Sequence, residues 1–145
     1  MPTPEENLTV KKVTEEFPEA VLEAKLFRGE VTLRLERKWI AQVCRFCKED
    51  PELRFDFLSD LCGVDYRGRE PRFEVVYHLL SIPRNERVRL KAGVPEDDPH
   101  IATVSDIWPT ANWHERECYD MFGIVFDGHP DLRRILMPED WEGHP

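Results

Sequence analysis

His114, Glu115, Arg116, Glu117, Cys118 and Asp120 crowd into the stretch HERECYD, with His114 and Cys118 one helical turn apart. Carboxylates, an imidazole and a thiol at that density are the materials of acid–base work, nucleophilic catalysis or metal ligation. Each chemistry also needs a spacing. A zinc-protease helix requires a second histidine four residues after the first, and Cys118 stands at that place. A nucleophile built from Cys118 and His114 requires an orienting group and an oxyanion site, and neither is identifiable. A glycosidase-like pair drawn from Glu115, Glu117 and Asp120 requires a shared pocket, which spacing along a chain does not define. Upstream, Cys44 and Cys47 in CRFC have ligand spacing without a second such pair, whereas a structural zinc or an iron-sulfur cluster takes four ligands. On a helix these two cysteines read as small residues of a buried face. The glycine stretches GRE, GIVFDG and EGH do not make a phosphate-cradling pattern.

A surface that organises another protein is the remaining reading. Arg133 and Arg134 each offer a planar, multidonor fork to carboxylates of this chain or of a partner. Trp113, Tyr119, Phe122, Phe126 and Trp141 set large apolar areas beside those charges, the composition of interface hot spots. The prolines at 130, 138 and 145 lower the entropy lost when such a segment is ordered against a partner. The competing reading places the aromatics in the core and pairs the arginines with carboxylates of the same fold. Composition leaves both open.

Periodicity indicates what must position these residues. A helix is expected over residues 6–17, with Leu8, Val13 and Phe17 on one stripe and Pro18 closing it. Strands are expected at 20–27 and 31–35 as a hairpin turning at Arg28, Gly29 and Glu30. An amphipathic helix follows at about 37–48, ending before Pro51. Residues 53–65 begin as a strand, with a helical turn around Ser59 to Leu61. Residues 72–82 are the strongest strand and belong at the centre, with 87–94 as a partner that keeps one wet face. Short helices are expected near 103–108 and 112–122, broken at Pro109 and stopped by Gly123. The implied fold class is α+β: a mixed or antiparallel sheet covered by helices, with residues 1–126 as the core domain and 127–145 as an irregular, proline-rich C-terminal tail.

A chain of 145 residues suffices for one domain with a real core, and 29 acidic against 20 basic residues give a net charge of -9. That field disfavours nucleic acid and anionic membrane surfaces. No run of 18 apolar residues is present, so no direct membrane insertion is expected, and MPTPEENLTVKK lacks the apolar core of a signal peptide. Four cysteines are too few for a disulfide scaffold, which favours a reducing compartment; the sequon at Asn7 then carries no meaning.

WHERECYDMFGIVFDGHPDLRRILMPEDWEGHP, residues 113–145, closely resembles the motif of the 30 kDa subunit family of respiratory complex I, the proton-pumping NADH-quinone oxidoreductase. FDFLSDLCGVDY, RFEVVYHLLS and IATVSDIWPTANW are similar to the same family, so the likeness runs from about Phe55 onward. It implies an α+β scaffold in the peripheral arm with no active site and no cofactor of its own, FMN and iron-sulfur clusters being carried by partners. The implied partners are the 49 kDa-type subunit that helps form the quinone site and the iron-sulfur subunits, at the cytoplasmic face of a bacterial inner membrane. The implied assembly residues are Trp113, Glu115, Arg116, Glu117, Asp120, Phe122, Gly128, His129, Pro130, Asp131, Arg133, Arg134, Pro138, Glu139, Asp140, Trp141 and His144, with Gly123, Gly143 and Pro145 shaping the turns. The family's pattern usually continues past Gly143 to Pro145 with a basic stretch, whereas this sequence stops there. Equivalent subunits also occur in ferredoxin- or deazaflavin-dependent oxidoreductases and energy-converting hydrogenases. A cytosolic metal-dependent enzyme using His114 and Cys118 is the alternative of a different class.

Overall fold

The computed structural model describes residues 3–130 and 132. Helix α1, Leu8–Glu16, starts where the Asn7 side-chain oxygen accepts from the amides of Thr9 (2.9 Å) and Val10 (3.3 Å). These bonds satisfy two of the amides a helix start leaves without partners. Asn7→Ala is therefore expected to cost about 1 kcal/mol in urea unfolding, with an unchanged midpoint as the contrary result. The buried stripe is Thr9, Val10 and Val13, rotated from the expected one; Leu8 is partly exposed and Phe17 packs edge-on against Phe46.

Strands β1 (Val21–Phe27) and β2 (Glu30–Leu35) form the expected hairpin. Its turn residues Arg28 and Gly29 both have positive φ, 52° and 81°, which matches the right-handed twist of the paired strands. A short 3-10 turn leads into α2, Ile40–Glu49, whose buried face is Ile40, Val43, Cys44 and Cys47. Strands β3 (Phe57–Asp65), β4 (Phe73–Ser81) and β5 (Glu86–Val94) then run as an antiparallel meander. The sheet order is β1-β2-β5-β4-β3, with β2 and β5 parallel, so the sheet is mixed. Strand β4 is interior, but β5 occupies the middle.

Alternation divides the sheet into two faces. Val31, Leu33, Leu35, Val75, Tyr77, Leu79, Val88, Leu90, Ala92 and Val94 are buried in one cluster with the apolar faces of α1 and α2. The opposite face is polar: Arg34 and Lys91 reach the buried carboxylate of Glu74, which also accepts from the Tyr66 hydroxyl at 3.3 Å.

Three local expectations are revised. Ser59 to Leu61 lie within β3 rather than in a helical turn, with a register irregularity between Leu58 and Asp60. Residues 103–108 are a turn: the amides of Ile107 and Trp108 both donate to the Val104 carbonyl, and Pro109 has no amide to continue the ladder. Two short strands, β6 (His100–Ala102) and β7 (Val125–Asp127), pair in parallel and bracket helix α3, Ala111–Phe122. Gly123 ends α3 in the left-handed region at φ 76°, donating its amide to the Tyr119 carbonyl at 2.8 Å.

Candidate functional site

Helix α3 lies on edge strand β3, and Gly63 is what lets it approach. A Cβ at residue 63 would stand 2.7 and 2.8 Å from ring carbons of Phe122 and 2.9 Å from the Cys118 sulfur. Phe122 is half-buried there, its ring 6.2 Å from that of Phe73. At the other end of the sheet packing, the Trp108 indole donates to the Phe55 carbonyl at 3.2 Å and holds the loop before α3 against the core.

Glu115 is wholly inside the protein, at 0% exposure. Its carboxylate accepts from the Thr103 hydroxyl and, at 2.8 Å, from the Val104 amide, so one side chain fixes both α3 and the turn after β6. Burial pushes its pKa up to about 7, against the opposing pull of those two hydrogen bonds and with a further rise from Asp106. The imidazole of His129 is also buried, with Nε2 3.1 Å from the Asn112 carbonyl and 3.9 Å from the Glu115 carboxylate. Gly128, at φ 87°, makes the turn that brings His129 inward, and Pro130 is exposed. Asp120 is fully buried and Glu117 is half-buried. Trp113 presents 53% of its surface, with the Arg116 guanidinium 5.5 Å above its ring. Asp131, Arg133, Arg134, Pro138, Glu139, Asp140, Trp141, Gly143, His144 and Pro145 lie outside the described residues.

The helix thus divides the residues that sequence alone grouped together. Glu115, Cys118 and Asp120 point inward, while Trp113 is open to solvent. Burial keeps the Cys118 thiol well above the ordinary range, so a thiolate nucleophile is strongly disfavoured. Cys44 and Cys47 are buried in the core with raised thiol pKa values, about 12 for Cys47, and behave there as small apolar residues. His114 and Cys118 both face β3, but His114 reaches Asp60, its Nδ1 3.8 Å from a carboxylate oxygen, whereas the Cys118 sulfur packs over Gly63. Thr103 and Val104 as donors to Glu115 had no sequence signal; nor did the gathering of Asp60, Cys62 and His78 on the polar sheet face.

Comparison with known proteins supplies what chemistry at the site does not. A family model described as "Respiratory-chain NADH dehydrogenase, 30 Kd subunit" matches residues 33–145. The chain is 55% identical over 141 residues to the C subunit of NADH-quinone oxidoreductase from Roseiflexus sp. (strain RS-1), covering 97% of this chain and 81% of that protein. It is 52% identical to the protein of the same name from Geobacter sulfurreducens, over 97% of this chain and 86% of the other. Among solved structures, a trypsin-resistant fragment of Nqo5 superposes with a TM-score of 0.69 at 35% identity, covering 86% of this chain and all of that one. A chain of the membrane-bound sulfane sulfur reductase, described as an archaeal respiratory membrane complex, gives 0.75 at 29% identity, covering 90% of this chain and 75% of that one.

Proposed function

This chain belongs to the respiratory-chain NADH dehydrogenase 30 kDa subunit family, and from that premise we propose that it is a non-catalytic scaffold of the peripheral arm of a proton-pumping NADH:quinone oxidoreductase. On this reading it seats against the 49 kDa-type subunit near the quinone site and beside the iron-sulfur subunits, at the cytoplasmic face of a bacterial membrane. FMN and the clusters belong to those partners. The family match over residues 33–145 supports this most strongly. Among the described residues, no helix is long and apolar enough to cross a membrane, consistent with a peripheral place.

Trp113 anchors the surface of α3, and residues 127–145, with Asp131, Arg133, Arg134, Pro138, Glu139, Asp140, Trp141 and His144, extend the assembly surface beyond the core of residues 1–126. Arg116 and Glu117 flank the anchor. Glu115, Asp120, Phe122, Gly128, His129 and Pro130 hold that surface in position. An exposed aromatic beside a guanidinium is the type of group whose truncation leaves a free subunit nearly unaffected and weakens a complex.

Trp113→Ala is accordingly expected to lower recovery of the 49 kDa-type subunit with the tagged chain by ~10-fold or more, while the chain's own stability changes by less than ~0.5 kcal/mol. Affinity purification from native membranes with quantitative mass spectrometry reads the first effect, and urea unfolding the second. Undiminished recovery would remove Trp113 from the interface, and failure of the unsubstituted chain to bring down any oxidoreductase subunit would overturn the scaffold reading. The likeness to a chain of the sulfane sulfur reductase favours a second reading, the equivalent subunit of a related ferredoxin- or deazaflavin-dependent oxidoreductase or hydrogenase. Recovery of an NADH-binding flavin subunit decides for the first.

A further inference from the structure

We propose that Asp60, Cys62 and His78 form a binding site for one divalent cation of the zinc class on the polar face of the sheet. Their ligand atoms, a carboxylate oxygen, a thiol sulfur and an imidazole nitrogen, all lie within 4.8 Å of one another. The register explains why. Asp60 pairs directly with His78 across β3 and β4, and Cys62, two residues along β3, shares their face one step down the ladder, opposite Val76. The irregularity between Leu58 and Asp60 is essential to this placement. Leu58 points into the core opposite Leu79, and strict alternation from it would turn residue 60 inward as well; the extra residue, Ser59, reverses the phase and brings Asp60 out. The Ser59 hydroxyl donates to the His78 carbonyl at 3.0 Å, tying the bulge to the strand that carries the imidazole.

The donor set selects the ion. One sulfur, one nitrogen and one oxygen suit zinc or cobalt and not magnesium or calcium, which take oxygen shells. Bonds of about 2.0–2.3 Å in a tetrahedron require donors ~3.5 Å apart, so the present spacing closes by side-chain rotation of about 1 Å. His114 approaches from α3 with its Nδ1 3.8 Å from an Asp60 carboxylate oxygen, so a small rotation brings it into position to steady that ligand. An open groove of about 250 Å³, lined by Asp60, His78, Arg87 and Arg89 among others, gives solvent access to the Asp60 and His78 side of the site. The nearby Arg89 opposes a cation, an effect that Glu30 at 3.6 Å offsets in part, and it favours the Cys62 thiolate. Burial and Asp60 outweigh that influence and raise the thiol pKa, so the ion binds by displacing the Cys62 proton: the S–H bond breaks, the metal–sulfur bond forms and one proton enters solvent. Zinc is redox-inactive, so the site adds nothing to electron transfer and stands independently of the assembly reading.

The test is titration of the reduced, metal-free full chain with Co(II), followed by displacement with Zn(II). One equivalent should produce a thiolate-to-cobalt charge-transfer band with release of one proton. Cys62→Ser should abolish that band, His114→Ala should weaken binding by ~10-fold, and Cys44→Ser combined with Cys47→Ser should leave the band intact. Circular dichroism distinguishes lost ligation from lost fold in Cys62→Ser, and His78→Gln gives a second reading by shifting or removing the cobalt spectrum. Absence of a saturable band at one equivalent would overturn the proposal, as would a band that survives Cys62→Ser.

Discussion

Gly63→Val is expected to lift α3 from β3 and lower the melting temperature by roughly 10 °C, from an overpacking cost of ~3 kcal/mol in a domain of this size. Even the first carbon of the new side chain would meet Phe122 and Cys118 at less than 3.0 Å, and the branched methyls add volume to that overlap. Relief comes if the Phe122 ring swings outward or the helix itself moves. The helix carries Glu115 as well as Phe122, so any displacement of it also strains the carboxylate's bonds to Thr103 and Val104. Differential scanning calorimetry gives the magnitude. A double variant with Phe122→Ala should recover part of the loss, because the smaller side chain vacates the space the valine needs. Equal melting temperatures for Gly63→Val and the unsubstituted chain would show that α3 is not held at this distance by the glycine.

The second large effect concerns acidity. Glu115 has a pKa raised from 4.5 to about 7 in the folded chain, so the native state holds this proton more tightly than the unfolded state does. Its contribution to stability is therefore fully present below about pH 4.5 and is lost as pH rises through about 7. The shift corresponds to on the order of 3 kcal/mol across that window. Glu115→Gln keeps the size and an acceptor oxygen but cannot ionise. The difference in unfolding free energy between the two chains should thus change with pH from 4.5 to 7 and flatten outside those limits, in favour of glutamine on the alkaline side. Urea unfolding at a series of pH values measures it. A difference constant across the window would mean that the Thr103 hydroxyl and the Val104 amide already compensate the buried charge.

Periodic elements were legible in the sequence because one period dominated each. The spacing of Ile40, Val43, Cys44 and Cys47 defined α2, the turn at Arg28 and Gly29 defined the hairpin, and the apolar run of β4 marked an interior strand. Strand β3 was only half legible, since the bulge at Ser59 breaks alternation and a broken period of 2 resembles a helical turn. Strands β6 and β7 have three residues each, too few for any period, and pair only because α3 brings their ends together. At the site, residue types located α3 but not its inner and outer faces. Which of Glu115, Glu117 and Asp120 are buried depends on where the rest of the fold, β3 and the turn after β6 included, meets the helix, a relation that no spacing within HERECYD contains. Arg133 and Arg134 remain outside the described residues.

The parallel pairing of β2 with β5 has a consequence for how the chain is made. On the edge away from β1, Val31 finds its neighbour only at Val88, so the N-terminal hairpin emerges from the ribosome with that edge of β2 unpaired while α2, β3 and β4 are still being synthesised. A meander of β3, β4 and β5 closes through local contacts and sets quickly; the β2 edge closes last, across the longest loop in the sheet. Until then Val31, Leu33 and Leu35 have only the first helices to shelter them. A pause in translation between residues 35 and 86 is therefore the interval in which the nascent chain is most open to aggregation and most in need of a chaperone.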